Sequence, residues 1–71
     1  MIRAKFVCTW NDPYSNEETE LRFTAVIDNS EENKKFFRYT PAGDINMVVR
    51  TEVADNFIVG REYYLDFTPT K

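Results

Sequence analysis

Residues 29–43 read NSEENKKFFRYTPAG, a helix-start signal, a basic and aromatic run and a Pro/Gly turn in fifteen consecutive residues, around which the strands are organised. Asn29, followed three residues later by Glu32, has the pattern of a capping box, in which each side chain satisfies an orphan amide of a first helical turn. That predicts a short helical turn through Asn33. Residues 34–39, KKFFRY, are aromatic-rich, and aromatics favour a pleated, half-buried strand. Thr40-Pro41-Ala42-Gly43 closes this strand as a turn, with Pro supplying a fixed φ and Gly tolerating a positive one.

Upstream, residues 1–10 alternate, with Ile2, Ala4, Phe6, Cys8 and Trp10 on one face and Arg3, Lys5, Val7 and Thr9 on the other. Asn11-Asp12-Pro13 stops that strand, because Asn and Asp favour turns and Pro removes a donor. A polar, acidic loop to about Thr19 follows. Its one large apolar group, Tyr14, either folds back or is available to a partner. Residues 20–27 alternate again, with Leu21, Phe23, Ala25 and Ile27 inward and Arg22, Thr24 and Val26 outward, which predicts a hairpin. Asp28-Asn29-Ser30 ends it.

Downstream, residues 44–50 put Ile45, Met47 and Val49 on one face and Asn46, Val48 and Arg50 on the other, making a second hairpin with residues 34–39. Residues 51–57 alternate poorly; Thr51 as cap and Glu52 in a first turn predict one helical or 3₁₀ turn. Gly60 breaks the chain. Residues 61–67 form the last strand, with Tyr63, Leu65 and Phe67 opposite Glu62, Tyr64 and Asp66. The expectation is an all-β fold: one domain over residues 1–71, a small five-stranded antiparallel barrel with one or two short helical turns. A helical turn between the fourth and fifth strands points to an SH3-like barrel, with an OB-like barrel as the alternative.

A 71-residue chain buries only about 60% of the surface that its unfolded form exposes. One Trp, four Tyr and six Phe meet that demand with large areas per residue. Oligomerisation is a usual remedy for so small a core, so a homo-oligomer is among the expectations. Twelve acids against nine bases, net −3, argue against a general role on duplex DNA. Cys8 is the single cysteine and reads as a small buried hydrophobe rather than a metal or disulfide partner. No apolar run of spanning length and no leader pattern is present, so the chain reads as soluble, without a membrane role. It contains no histidine, which removes His-based acid–base, triad and metal chemistry. Two glycines far apart cannot make a phosphate loop, and the pairs Glu17-Glu18 and Glu31-Glu32 lack a convergent third ligand. The expectation is therefore no catalytic residue, no metal and no cofactor.

As a strand, residues 34–39 would put Lys34, Phe36 and Arg38 on one face and Lys35, Phe37 and Tyr39 on the other. With Phe37 and Tyr39 as the inward pair, Phe36 stands outside between two cations, suited to stacking on a base while the cations meet phosphate. The competing reading has Phe36 covering a core edge while the cations pair with Glu31, Glu32 or Asp44. The candidate ligand-binding residues are Lys34, Lys35 and Arg38 for phosphate, with Phe36, Tyr39 or Trp10 for the base. Trp10, at the end of an inward face, reads either as a lid on the core or as a stacking platform. Arg3, Lys5, Arg22 and Arg50 could gather into a second basic stripe, which Glu20, Glu52 and Glu62 would neutralise.

The runs Ser30-Glu31-Glu32-Asn33-Lys34, Phe36-Phe37, Tyr39-Thr40-Pro41 and Gly43, with Gly60, Glu62-Tyr63-Tyr64 and Asp66-Phe67-Thr68-Pro69, resemble a family of small proteins encoded by tailed bacteriophages. Its pattern is similar to SEENKxFWKYTPxG followed by PGxEYYxDFTP. The resemblance covers residues 29–69, with Phe37 where the family typically carries Trp and Val59 where it carries Pro. It implies a phage accessory protein acting in the host cytoplasm. On that reading the function is non-catalytic binding in counter-defence, sequestering a small phosphate-bearing nucleotide signal. The alternatives are a protein–protein inhibitor of a host enzyme and a single-stranded nucleic-acid accessory protein.

Overall fold

The computed structural model describes residues 2–27 and 31–71. Strands β1 (Ile2–Pro13) and β2 (Glu18–Ala25) are followed by helix α1 (Glu31–Phe36). Strand β3 (Asp44–Arg50), helix α2 (Thr51–Ala54) and strand β4 (Glu62–Phe67) complete the chain. The strands form one open antiparallel sheet in the order β3-β2-β1-β4. The fold is therefore mostly β, as expected, but it is a four-stranded open sheet and not a closed five-stranded barrel, SH3-like or OB-like.

The fifth strand is lost at residues 34–39. Glu31 and Glu32 lie in the first turn of α1 and Lys34 and Lys35 in its last, the charge order that complements a helix dipole. The helix is tied to the sheet by Asn33, which is 1% exposed. Its Oδ1 accepts from the Lys5 amide at 2.6 Å, and its Nδ2 donates to the Lys5 carbonyl at 3.1 Å and the Val26 carbonyl at 2.7 Å. The Asn33 amide thus inserts between Lys5 and Val26 just past the end of β2, where the Val26 amide still donates to the Lys5 carbonyl at 3.1 Å. A strand would send Phe36 and Phe37 to opposite faces, whereas here both rings lie over one face of the sheet. Phe36 stacks on Phe67 at 6.0 Å, Phe37 lies 6.5 Å from Phe6, and the two rings are 4.9 Å apart. Burial of two aromatics on the sheet outweighs their intrinsic strand preference. The expected cap at Asn29 lies outside the described residues.

β1 also runs further than its sequence suggests. Its register against β2 shifts between Cys8 and Trp10, a β-bulge that exchanges the two faces of the strand. Ala4, Phe6 and Cys8 are buried as expected. Beyond the bulge, Trp10 pairs with Arg22 on the outer face, and Asn11 pairs with buried Leu21 on the inner one. Asn11 is thus no turn residue: its Nδ2 donates to the carbonyls of Ala54 at 3.1 Å and Phe57 at 2.9 Å, tying down the end of α2. Pro13 is tolerated because it stands at the strand's end, opposite Thr19. Ile27 is exposed and Val26 buried, the reverse of the alternation, because β2 ends at Ala25.

α2 falls within the expected helical turn. Thr51 does not cap it, since Arg50 holds that position without a side-chain bond; the Thr51 hydroxyl instead meets that of buried Thr19 at 3.1 Å. Gly60 adopts φ +93°, a conformation open to Gly at little cost, and its amide donates to the Cys8 carbonyl at 2.8 Å as the chain enters β4. The core consists of Ala4, Phe6, Cys8, Leu21, Phe23, Ala25 and Ala54. Phe23, Phe57 and Tyr63 pack edge to face within 5.0–6.1 Å, and the Tyr63 hydroxyl accepts from the Ile58 amide at 2.9 Å. Among the described residues no helix is long and apolar enough to cross a membrane.

Candidate ligand-binding site

Where α1 lies over the start of β1, a recess of about 400 Å³ is lined by Ile2, Arg3, Glu31, Glu32, Lys35 and Phe36. Phe36 is half-buried, because its ring is held by Phe37 and Phe67. Arg3 is positioned by β4. Its Nε donates to Asp66 Oδ1 at 2.6 Å and its Nη2 to Oδ2 at 3.2 Å, a two-point pairing that fixes the guanidinium plane. That plane lies 4.5 Å from the centre of the Tyr64 ring, a cation–π contact. The Tyr64 hydroxyl in turn donates to Glu32 Oε1 at 2.9 Å, so the chain Asp66–Arg3–Tyr64–Glu32 links the edge of the sheet to α1.

These contacts order the titrations of the groups. The Asp66 carboxyl is held below its usual range by the hydrogen bond from Arg3, and the Arg3 guanidinium is correspondingly raised by its hydrogen bond to Asp66. Donation to Glu32 pushes the Tyr64 hydroxyl above the ordinary tyrosine range. All three groups are solvent-exposed, so the network positions side chains more than it stabilises the fold.

Of the residues singled out from the sequence, the recess brings together only Lys35 and Phe36. Lys34 turns to Glu31, 3.9 Å away, as the competing reading has it. Arg38 lies over the ring of Tyr39 at 5.6 Å in the segment after α1, where Tyr39 is 80% exposed. Trp10 belongs to the outer face of the sheet, 41% exposed with the Arg22 guanidinium 5.1 Å from its ring, so it is neither a core lid nor a neighbour of α1. The division into Lys34, Phe36 and Arg38 against Lys35, Phe37 and Tyr39 does not survive, because that division presupposes a strand. The outer-face cations are paired: Lys5 with Glu62 at 3.9 Å, Arg22 with Glu20 at 3.3 Å, and Arg3 with Asp66.

Arg3, Glu32, Tyr64 and Asp66 escaped the sequence reading as site residues. The available signal was the outward position of Arg3, Tyr64 and Asp66 on terminal strands, which becomes informative only once β1 and β4 are known to pair Arg3 with Asp66. Among the described residues no group of three or more His, Cys, Asp or Glu is arranged to hold a metal ion. Comparison with protein-family models, with curated proteins and with solved structures found no match.

Proposed function

We propose that this chain is a non-catalytic binding module whose recess between β1 and α1 takes a small phosphate-bearing ligand with a planar base. One observation carries the reading: Arg3, Lys35 and the ring of Phe36 line a single recess of about 400 Å³, within the roughly 300–1,000 Å³ of small-molecule sites. Lys35 and Arg3 supply cations for phosphate, and Phe36 offers a ring already held by its neighbours. Glu31 and Glu32 accept hydrogen bonds from the amino groups of a base. The proposed ligand set is therefore Arg3, Glu31, Glu32, Lys35 and Phe36; Lys34, Arg38, Tyr39 and Trp10 do not line the recess. The resemblance to small phage proteins supplies the context, a nucleotide signal of host defence sequestered intact in the host cytoplasm.

Calorimetric titration of the purified protein with a panel of linear and cyclic nucleotides tests the reading. It expects saturable binding of at least one nucleotide, recovered unchanged by chromatography. Lys35→Glu should weaken that binding about tenfold or more, the cost of losing one charge-assisted bond. Absence of heat across the panel, or turnover of the bound nucleotide, overturns it. The open edges of the sheet favour, as a second reading, capture of a host protein by strand addition; a single stoichiometric protein recovered from host lysate would support it.

A further inference from the structure

We propose that two copies of this chain join β3 to β3, antiparallel about a two-fold axis at Met47, into one continuous eight-stranded sheet. β3 is a terminal strand, and the direction of its main chain is set by its partner. The Gly43 carbonyl accepts from Ala25 at 3.0 Å and the Thr51 amide donates to Glu17 at 3.1 Å. By the alternation of an antiparallel ladder, Ile45, Met47 and Val49 therefore address β2, while Asp44, Asn46, Val48 and Arg50 address the open edge.

That edge lacks the usual devices against pairing. Its register with β2 is unbroken from Asp44 to Arg50, and it carries neither Lys nor Pro. Met47 and Val48 are 38% and 42% exposed. Its two charges are Asp44 and Arg50, one at each end. Centred on Met47, antiparallel self-pairing sets Asp44 opposite Arg50 of the second copy, and does so twice. It also sets Ile45 opposite Val49 and Asn46 opposite Val48, so apolar side chains meet on the inner face. The other open edge behaves differently: β4 paired with itself about Tyr64 would set Glu62 against Asp66, like charges directly opposed. β3 invites a second copy and β4 repels one.

The surface area agrees. The chain exposes 5535 Å², where a compact monomer of 8.4 kDa exposes about 4,600 Å². The excess of roughly 900 Å² belongs to a thin sheet with open edges rather than to a closed globule. The molecule is a thin slab of 40 × 32 × 16 Å, extended in the way that an edge-to-edge assembly uses. The recess between β1 and α1 lies away from β3, so the ligand reading and the dimer stand or fall separately.

Sedimentation analysis of the intact chain at micromolar concentration should give twice the monomer mass. Asp44→Lys, which puts like charges at both ends of the pairing, should weaken dimerisation about tenfold. Val48→Pro removes an amide that addresses the open edge and not β2, so it should give a folded monomer by circular dichroism. Met47→Cys places a thiol on the axis, at a pair without hydrogen bonds where side chains come closest, and should cross-link two copies under mild oxidation. Asn46→Cys, opposite Val48 of the second copy, should not. A monomer at every concentration, or a dimer indifferent to Asp44→Lys and Val48→Pro, overturns the proposal.

Discussion

Two short helices cover the two ends of the sheet's inner face, and each is tied to β1 through an asparagine, but the roles of strand and helix are reversed. At α1 the helix supplies the side chain and the strand the main chain, Asn33 gripping both polar groups of Lys5 and the Val26 carbonyl. At α2 the strand supplies the side chain and the helix end the main chain, with Asn11 donating to the carbonyls of Ala54 and Phe57. Asn33 is 1% exposed and Asn11 half-buried. Neither helix is long enough to be stable by itself, so each depends on its clasp and on the rings packed beneath it. The contrast shows how an amide, carrying donor and acceptor together, can finish a ladder as a strand would or close a helix as a cap would.

The largest effect belongs to the more deeply buried clasp. Asn33→Ala strands the Lys5 amide and the Val26 carbonyl away from water, and leaving such groups unsatisfied costs about 1–3 kcal/mol each. A loss of about 3 kcal/mol is expected, read from urea denaturation. A loss below about 1 kcal/mol would mean that Phe36 and Phe37 alone hold α1. Asn11→Ala should cost less, about 1–1.5 kcal/mol, because Asn11 is only half-buried and the Ala54 carbonyl keeps the Phe57 amide as a donor. If the two substitutions cost the same, burial is not what separates the clasps. Because they share no partner, the double variant should lose the sum of the two to within about 0.5 kcal/mol; a larger departure would join the two ends into one cooperative unit.

How much of this was legible follows from the same residues. Alternation located the inner faces of the four strands: Ala4, Phe6, Cys8, Leu21 and Phe23 obey a two-residue period and lie in the core, and Ile45, Val49, Tyr63 and Leu65 pack half-buried against it. It failed at Asn11, because local preference makes an isolated Asn a turn former and nothing local reports the carbonyls of Ala54 and Phe57, supplied from far along the chain. The helical turn expected through Asn33 is part of α1, but its clasp on Lys5 and Val26 leaves no local signal. The bulge at Trp10 is equally silent, because a register shift is a property of two strands. The strand assigned to residues 34–39 failed because aromatic side chains report burial before they report backbone conformation. The candidate site inherited that error: Lys35 and Phe36, singled out for their chemistry, line the recess, whereas the pairing of Arg3 with Asp66 required the β1–β4 register.

The smallest effect, and the one that separates the two ends most cleanly, is with pH. Among the described residues the α1 end carries a titrating link, Asp66–Arg3–Tyr64–Glu32, whereas Asn11 holds α2 with uncharged groups. The Asp66 carboxyl lies below its ordinary value of 3.8 because Arg3 donates to it. Its contribution is present above that value and is lost as the pH falls through the depressed one. The Tyr64 hydroxyl lies above its ordinary 10.0 because it donates to Glu32; its contribution is complete below 10.0 and is lost as the pH rises through the raised value. Hydrogen exchange, corrected for the intrinsic rate, should therefore show the amides of α1 losing protection at both extremes, with those of α2 changing only with global stability. Asp66→Asn should remove the acid limb and Tyr64→Phe the alkaline one. Equal responses from α1 and α2 would mean that the network does not reach the helix, and that the Arg3 side of the recess is held by β4 alone.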